Sequence, residues 1–293
     1  MAKIAVYQGS SVTGDINANF LVIETIIKQA SLQGIDLVLF PELFLCGYDF
    51  KLEQISELSL NREVPDVNIQ RLLQTAKLNR CGIAVGYSEL GSDNSYYNSC
   101  IVISANGEEC ANYRKTHLWD PYNTHEKVLF KPGNELFVFD YPLLEISGQR
   151  QYGTIKMGVL ICFDCEFPEP ARTLALQGAT VILNPTALAS GPVDDLTPTC
   201  TIPARALENH VFLVYSNLTG SCRLPPTPFA NVATNKAAYC GMSAIVGPNG
   251  RDLVRHTKTS TGLLVADIIP SAFESDITRN DYLRLRRPEL YKL

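Results

Sequence analysis

No stretch of this sequence stays apolar for anything near the roughly 20 residues that a membrane-spanning helix requires, so a membrane span is excluded. Positive charge is also in short supply. Lys and Arg number 25 against 30 Asp and Glu, a formal net charge of −5. A nucleic-acid or anionic-membrane surface would show a basic excess, so neither partner is expected. Cysteine is plentiful, at nine, but lacks a pattern. The number is odd and the spacings form no disulfide framework, which points to free thiols in a reducing, cytoplasmic compartment. The Cys162-x-x-Cys165 pair has no second Cys pair or Cys/His pair at ligand spacing, so no metal site is expected. Met1 to Gln8 reads as a short strand rather than a secretory signal. No linker, repeat or low-complexity segment divides residues 1–293, so one domain is the simplest organisation.

What is present is an ordinary globular composition, 46% apolar and 19% charged. Lys3 to Gln8 and Asp36 to Phe40 read as strands. Between them, Asn17 to Gly34 carries an apolar stripe, Phe20, Ile23, Ile26, Ile27 and Ala30, at helical spacing. Gly34 stands where that helix would end. Val67 to Asn79 repeats the pattern with Ile69, Leu72, Leu73 and Ala76. Strands then follow closely at Gly82 to Ser88, Ser99 to Ser104 and Cys110 to Tyr113, the last two joined by the hairpin signal Asn106-Gly107. After Arg114 to Trp119 a long polar segment runs to Gly133. Its aromatics, Trp119, Tyr122 and Phe130, argue against disorder, and a long loop in a compact domain is usually functional. Thr154 to Ile161, Thr180 to Leu183, Val211 to Ser216, Ser243 to Val246 and Gly262 to Asp267 read as further strands. Thr199 to Asn209 reads as a helix. Buried strands alternating with amphipathic helices predict a mixed α/β fold, with two stacked sheets for this many strands.

Three predicted strands end on residues that can do chemistry. Glu42 follows Phe40-Pro41, Lys115 follows Tyr113-Arg114, and Cys162 follows Leu160-Ile161. The turn after Cys162 leads through Pro168 and Pro170 into a helix, and proline suits a helix's first turn. A nucleophile on a strand-to-helix turn is exposed above the sheet while its backbone is held. Each residue also has a plain structural alternative. Glu42 could favour a helix N-terminus, Lys115 could be a solvated surface cation, and Cys162 could be inert core or half of a redox dithiol with Cys165. Together the three have a chemical logic. An ammonium lowers a thiol's pKa, a carboxylate serves as general base towards thiol and then water, and the ammonium with a backbone N–H can hold an oxyanion.

Pro41-Glu42-Leu43-Phe44-Leu45-Cys46-Gly47-Tyr48, Tyr113-Arg114-Lys115-Thr116-His117-Leu118 and Leu160-Ile161-Cys162-Phe163-Asp164-Cys165-Glu166-Phe167-Pro168-Glu169 carry a resemblance. In this order they resemble the nitrilase-like carbon–nitrogen hydrolases, over nearly the whole chain. The resemblance implies a single-domain αββα sandwich that pairs into a four-layer homodimer. It implies catalysis by Glu42, Lys115 and Cys162 without metal or cofactor. Glu126, in a segment ending Phe130-Lys131-Pro132-Gly133, matches a further glutamate of the family's amidases and carbamoylases, with the implied role of positioning substrate and Lys115. A loop carboxylate paired with Lys127 or Lys131 is its structural alternative.

The motifs are most similar to the family's bacterial aliphatic and stereoselective amidases, which implies a small-molecule amide as substrate. N-carbamoyl amidase and nitrilase are the alternatives within the family, and a non-catalytic relative is the alternative outside catalysis. Tyr48, Phe163, Glu166, Thr186 and Ala187 are the expected substrate-binding residues. Glu166 is an acidic group beside the pocket, which would favour an amino-bearing substrate. Its structural alternative is a pair with Arg172 or Arg205. The tail over about 270–293 carries Phe273, Tyr282, Leu283, Leu285, Leu290 and Tyr291, more apolar surface than a free terminus should expose, and is expected at the dimer interface.

Overall fold

Alternation along the strands shows how two sheets come to be stacked. In the computed structural model, which describes residues 1–119, 126–143, 153–190, 196–222 and 237–291, Ile4 and Val6 point into a core between the sheets. Ala5 and Tyr7, on the same strand, point the other way into a core under helices. Leu37 and Leu39 alternate with Val38 in the same manner. On the second sheet Val181 and Leu183 face the first sheet, while Ile182 lies under helices. Side chains at period two therefore meet apolar partners on both sides. That is why these strands read as unbroken apolar runs rather than alternating ones.

In chain order the elements are β1 (Ala2–Gln8), α1 (Ile16–Leu32), β2 (Leu37–Leu39), α2 (Ile55–Leu58), β3 (Leu60–Asn61), α3 (Val67–Asn79), β4 (Gly82–Leu90), β5 (Tyr96–Ile103), β6 (Glu109–Arg114), α4 (Glu126–Leu129), β7 (Val138–Pro142), β8 (Thr154–Val159), α5 (Pro168–Leu176), β9 (Val181–Thr186), α6 (Ile202–Asn209), β10 (Phe212–Asn217), β11 (Thr219–Cys222), β12 (Ala237–Cys240), β13 (Ala244–Val246), β14 (Asp252–Arg255), β15 (Gly262–Ile268) and α7 (Glu274–Arg279). The first sheet has the order β15-β1-β2-β4-β5-β6, with β3 also on β4. The second has the order β14-β13-β10-β9-β8-β7, and β11-β12 forms a small separate ribbon. Helices α1 and α3 cover the outer face of the first sheet, and α5 and α6 that of the second. This is the expected single-domain αββα sandwich.

The local signals behave as their chemistry requires. Asp15 caps α1 by accepting from the Ala18 N–H, and Phe20, Ile23, Ile26, Ile27 and Ala30 form its buried stripe. Gly34 closes α1 with φ of 64°, a left-handed conformation that glycine adopts without strain. One expectation needs correction. The segment from Thr199 does not enter a regular helix. Thr197–Thr201 is a wider π-type turn, and α6 begins only at Ile202, where Pro203 suits a first turn. The polar segment before Gly133 packs inward where it is described. Its described end, α4, buries Glu126 and Leu129. Tyr122 lies outside the described residues.

The tail packs in part on its own chain. Phe273 packs edge-on against Phe212 at 5.4 Å, and Leu283 lies against the core under α5 and α6. Tyr282 stacks on His210 at 5.2 Å. Leu285, Leu290 and Tyr291 remain exposed. The tail's apolar surface is therefore partly spent on its own chain. Among the described residues, no helix is long and apolar enough to cross a membrane.

Candidate active site

The strand ends of the two sheets meet. Glu42 leaves the end of β2 through Pro41, and its N–H reaches the carbonyl of Thr186 at the end of β9, 3.4 Å away. This turn lies directly on β4. A Cβ placed at Gly86 would stand 2.3 Å from the Leu43 nitrogen and 2.8 Å from the Glu42 Cα. Only a residue with no side chain lets the strand pass that close. Leu43 has φ of 48° and Cys162 has φ of 46°, both left-handed, so two of the three chemistry-bearing turns hold a non-glycine residue in a strained conformation. Strain of this kind costs on the order of 1–3 kcal/mol and survives only where the surroundings over-determine the backbone.

Lys115 is the first residue after β6 and is completely buried. Its Nζ donates to Glu42 Oε1 at 2.7 Å and to Glu126 Oε1 at 2.6 Å. Both carboxylates are also completely buried. Burial works against the ammonium, but Glu126 and Glu42 outweigh it and hold Lys115 above the ordinary lysine range. Glu126 further accepts from Tyr48 Oη at 2.6 Å and from the Trp119 N–H at 2.7 Å. It is thus a buried anchor for the cation, and the alternative of a loop carboxylate paired with Lys131 does not hold, because Lys131 pairs with Asp93.

Glu42 is asymmetric. Oε1 accepts from Lys115 and from Asn98 Nδ2 at 2.8 Å, whereas Oε2 is buried without a hydrogen-bond partner. Burial pushes the Glu42 carboxyl up to about 6. The Lys115 charge pulls it down, and the Glu126 charge pushes it up. A carboxylate with one tethered oxygen, one free oxygen and a pKa near neutrality suits a proton acceptor.

Cys162 opens the short helical turn Cys162–Glu166 at the end of β8. The residue is half-buried, and burial of the thiol raises its pKa well above the usual value. The Glu42 charge adds to the rise, while Lys115 and the Ala187 N–H oppose it. The thiol therefore rests protonated, within the field of the Glu42 carboxylate. Cys165 faces another way. It lies in the core under α5 and α6, fully buried, and burial raises its thiol too. Cys162 and Cys165 are both free thiols, so the close pair is not a disulfide here.

The remaining expected site residues fall in different relations to this centre. Tyr48 joins it through Glu126 and meets Tyr239 edge-on at 6.4 Å. Phe163 packs edge-on against Phe167, which stacks on His117 at 4.5 Å. Ala187 contributes its amide rather than its side chain. Thr186 turns its hydroxyl inward to Asn184 and offers its carbonyl to the Glu42 N–H. Glu166 accepts from Thr197 Oγ1 at 2.7 Å. Arg205 bonds the main-chain carbonyls of Cys165 and Glu166 and pairs with Glu208, so the alternative of an Arg205–Glu166 side-chain pair does not hold. Sequence reasoning missed Asn98, which tethers Glu42, and Asp164, which joins the Lys115 and Cys162 segments. Both are single polar residues inside or beside apolar strands, where only a buried partner would have flagged them. Among the described residues no three His, Cys, Asp or Glu side chains converge to hold a metal ion.

Known proteins place this chain in a family. The profile of the family described as carbon-nitrogen hydrolase matches residues 3–276. A nitrilase of Pyrococcus abyssi is 34% identical over 298 residues, covering 99% of this chain and 99% of that protein. An N-carbamoylputrescine amidase of Solanum tuberosum is 33% identical, covering 96% of this chain and 91% of that protein. Among solved structures, an amidase from Nesterenkonia sp. superposes with a TM-score of 0.77 at 30% identity, covering 99% of this chain and 94% of its own. A variant of that amidase carries acrylamide added at its active site cysteine. With the profile spanning most of the chain and the fold matched end to end, the chain belongs to the carbon–nitrogen hydrolase family of the nitrilase superfamily.

Proposed function

We propose that the protein hydrolyses a small linear amide to a carboxylic acid and ammonia through a thioester on Cys162. The observation that carries this reading is the free Oε2 of Glu42, a buried acceptor with nothing to accept from, beside a thiol raised into its protonated form. In the first step Cys162 Sγ attacks the amide carbon and its proton passes to Glu42 Oε2. The oxyanion that forms draws on the Lys115 ammonium, which the two carboxylates keep charged. Glu42 returns the proton to the nitrogen as the C–N bond breaks, and ammonia leaves. Water then attacks the thioester and gives its proton to Glu42. The tetrahedral intermediate collapses to acid, and the sulfur regains its proton. Glu126, fixed by Tyr48 and the Trp119 amide, holds Lys115 in place throughout.

A carbamoyl compound is the second reading, supported by the N-carbamoylputrescine amidases among the relatives. Such a substrate carries an amine at the far end of its chain. Glu166, which pairs with no arginine side chain among the described residues and lies on the turn that follows Cys162, is the acidic group we assign to that amine. A screen over aliphatic amides, amino amides, carbamoyl compounds and nitriles tests both readings. Ammonia release from the amides alone supports the first, and preferential turnover of amino-bearing carbamoyl compounds supports the second. Turnover of nitriles alone would sink both. We further infer that the protein forms a homodimer through the exposed apolar remainder of its tail, Leu285, Leu290 and Tyr291.

A further inference from the structure

Asp164 lies two residues beyond Cys162, is completely buried, and has no proton-transfer part in the reaction proposed above. Its oxygens are nonetheless crowded with donors. Oδ1 accepts from the Thr116 N–H at 3.2 Å, Thr116 Oγ1 at 2.8 Å and the His117 N–H at 2.8 Å, and stands 2.9 Å from His117 Nδ1. Oδ2 accepts from Tyr113 Oη at 2.8 Å and the Ile161 N–H at 2.9 Å. The Asp164 N–H in turn donates to the Ile161 carbonyl at 3.0 Å.

These partners fall into two groups. Tyr113, Thr116 and His117 bracket Lys115 at the end of β6 in the first sheet. Ile161 and Asp164 itself bracket Cys162 at the end of β8 in the second. Among the described residues, each side-chain hydrogen bond between the two segments ends on Asp164. The left-handed backbone of Cys162 needs such support, because an unsupported strained residue relaxes. The choice of residue follows from the donors. Every N–H and O–H here points inward, so the group that receives them must accept at both ends. A carboxylate does so, whereas an amide would turn its NH2 towards one of these donor sets.

We propose that Asp164 is a positioning residue that sets the spacing between the Lys115 ammonium and the Cys162 sulfur by clasping the two strand ends across the sandwich. The inference rests on the reading of Cys162 as nucleophile and Lys115 as its cation. The clasp acts through geometry alone, and Asp164 does not touch the reacting atoms.

The test is Asp164→Asn, which is nearly the same shape but loses acceptors on one side. Four quantities are measured beside the parent: kcat and KM on an amide from the screen, the rate of Cys162 alkylation by iodoacetamide located by peptide mass spectrometry, and the thermal midpoint. A misplacement of about 1 Å can cost about 100-fold in turnover, so kcat is expected to fall about 10- to 100-fold with KM little changed. Alkylation of Cys162 should slow in the still-folded variant, a change that a merely stabilising residue would not produce. If Asp164→Asn does not accumulate as folded protein, Tyr113→Phe and Thr116→Val each remove one donor from one oxygen. Each is expected to lower kcat about two- to tenfold, the worth of one hydrogen bond, again without a change in KM. Parental kcat and parental alkylation in the folded variants would overturn the clasp alone, provided the parent forms an acyl adduct on Cys162. Absence of that adduct in the parent would remove the nucleophile reading and the clasp with it.

Discussion

Lys115 Nζ sits 2.7 Å from Glu42 Oε1 with both side chains completely shielded from water. A lone ammonium could not be kept charged at that depth. The second carboxylate, Glu126, makes the arrangement hold, and the trio carries one formal negative charge in excess. Burial lifts Glu42 to about 6 against the opposing pull of Lys115, the Glu126 charge adds to the rise, and the two carboxylates together keep Lys115 protonated.

The first prediction concerns the nucleophile. Cys162→Ala is expected to abolish turnover, and Cys162→Ser to lose most of it, because an alcohol is a far weaker nucleophile than a thiolate. Mass spectrometry of parent enzyme mixed with substrate should place an acyl group on the Cys162 peptide. Full activity in Cys162→Ala would remove the proposed chemistry.

The second follows from Glu42. As a base it must be unprotonated, so kcat/KM should fall tenfold per pH unit below about 6. Stability should respond in the opposite sense. The folded carboxyl is raised from its ordinary 4.5 to about 6, so the fold favours its protonated form. The contribution of this group is full below the ordinary value and lost as pH rises through about 6. Glu42→Gln should remove the acid limb along with most of the activity. An acid limb that persists in Glu42→Gln at the same pH would assign it to another group.

The third concerns the buried cation. Lys115→Met leaves Glu42 and Glu126 facing each other without a counter-charge. Breaking a buried ion pair at one partner costs about 3–5 kcal/mol, so the thermal midpoint should fall by several degrees at pH 7. The loss should shrink at pH 5, where the Glu42 carboxyl, raised by burial to about 6, takes up a proton. A loss of stability equal at both pH values would contradict the arrangement.

The fourth tests the backbone beneath Glu42. Gly86→Ala places a methyl group 2.3 Å from the Leu43 nitrogen, a separation that real atoms do not tolerate. The Glu42 turn must move, so activity should fall although no functional group has changed. Parental kcat/KM in a folded Gly86→Ala protein would show that the turn has slack.

The fifth separates the two neighbouring thiols. Cys165 packs under α5 and α6, so Cys165→Ser should keep substantial turnover and lose some stability from a buried hydroxyl. Iodoacetamide should inactivate the parent by modifying Cys162, with substrate protecting. Equal loss of activity in Cys165→Ser and Cys162→Ala would restore the dithiol reading.

The sixth concerns assembly. Leu285→Asp combined with Leu290→Asp places charge on the exposed part of the tail and should convert a dimer to monomers in light scattering at micromolar concentration. A parent protein that is already monomeric there would refute the dimer.

Much of this was legible in the amino-acid order because it is local. Apolar runs of strand length mark residues buried on both faces, and stripes at helical spacing mark one covered face. A break in such a run at Glu42, Lys115 or Cys162 is visible because a polar residue interrupts an apolar period. Gly34 and Gly107 likewise announce left-handed turns that only the local backbone needs. What remained hidden depends on partners far apart in sequence. Asn98 is 56 residues from Glu42, and Asp164 is 48 from Thr116. Nothing in their own neighbourhoods distinguishes them from surface polar residues. Thr186 reads as a substrate-binding residue, and only the structure shows its hydroxyl turned inward to Asn184; the structural alternative for Glu166, a pair with Arg205, falls only when Arg205 is found on the backbone instead. Sequence periodicity determined which residues are buried. Only the closing of two sheets against each other decided which buried polar groups meet, because a hydrogen bond across the sandwich depends on distance in space and leaves no period along the chain.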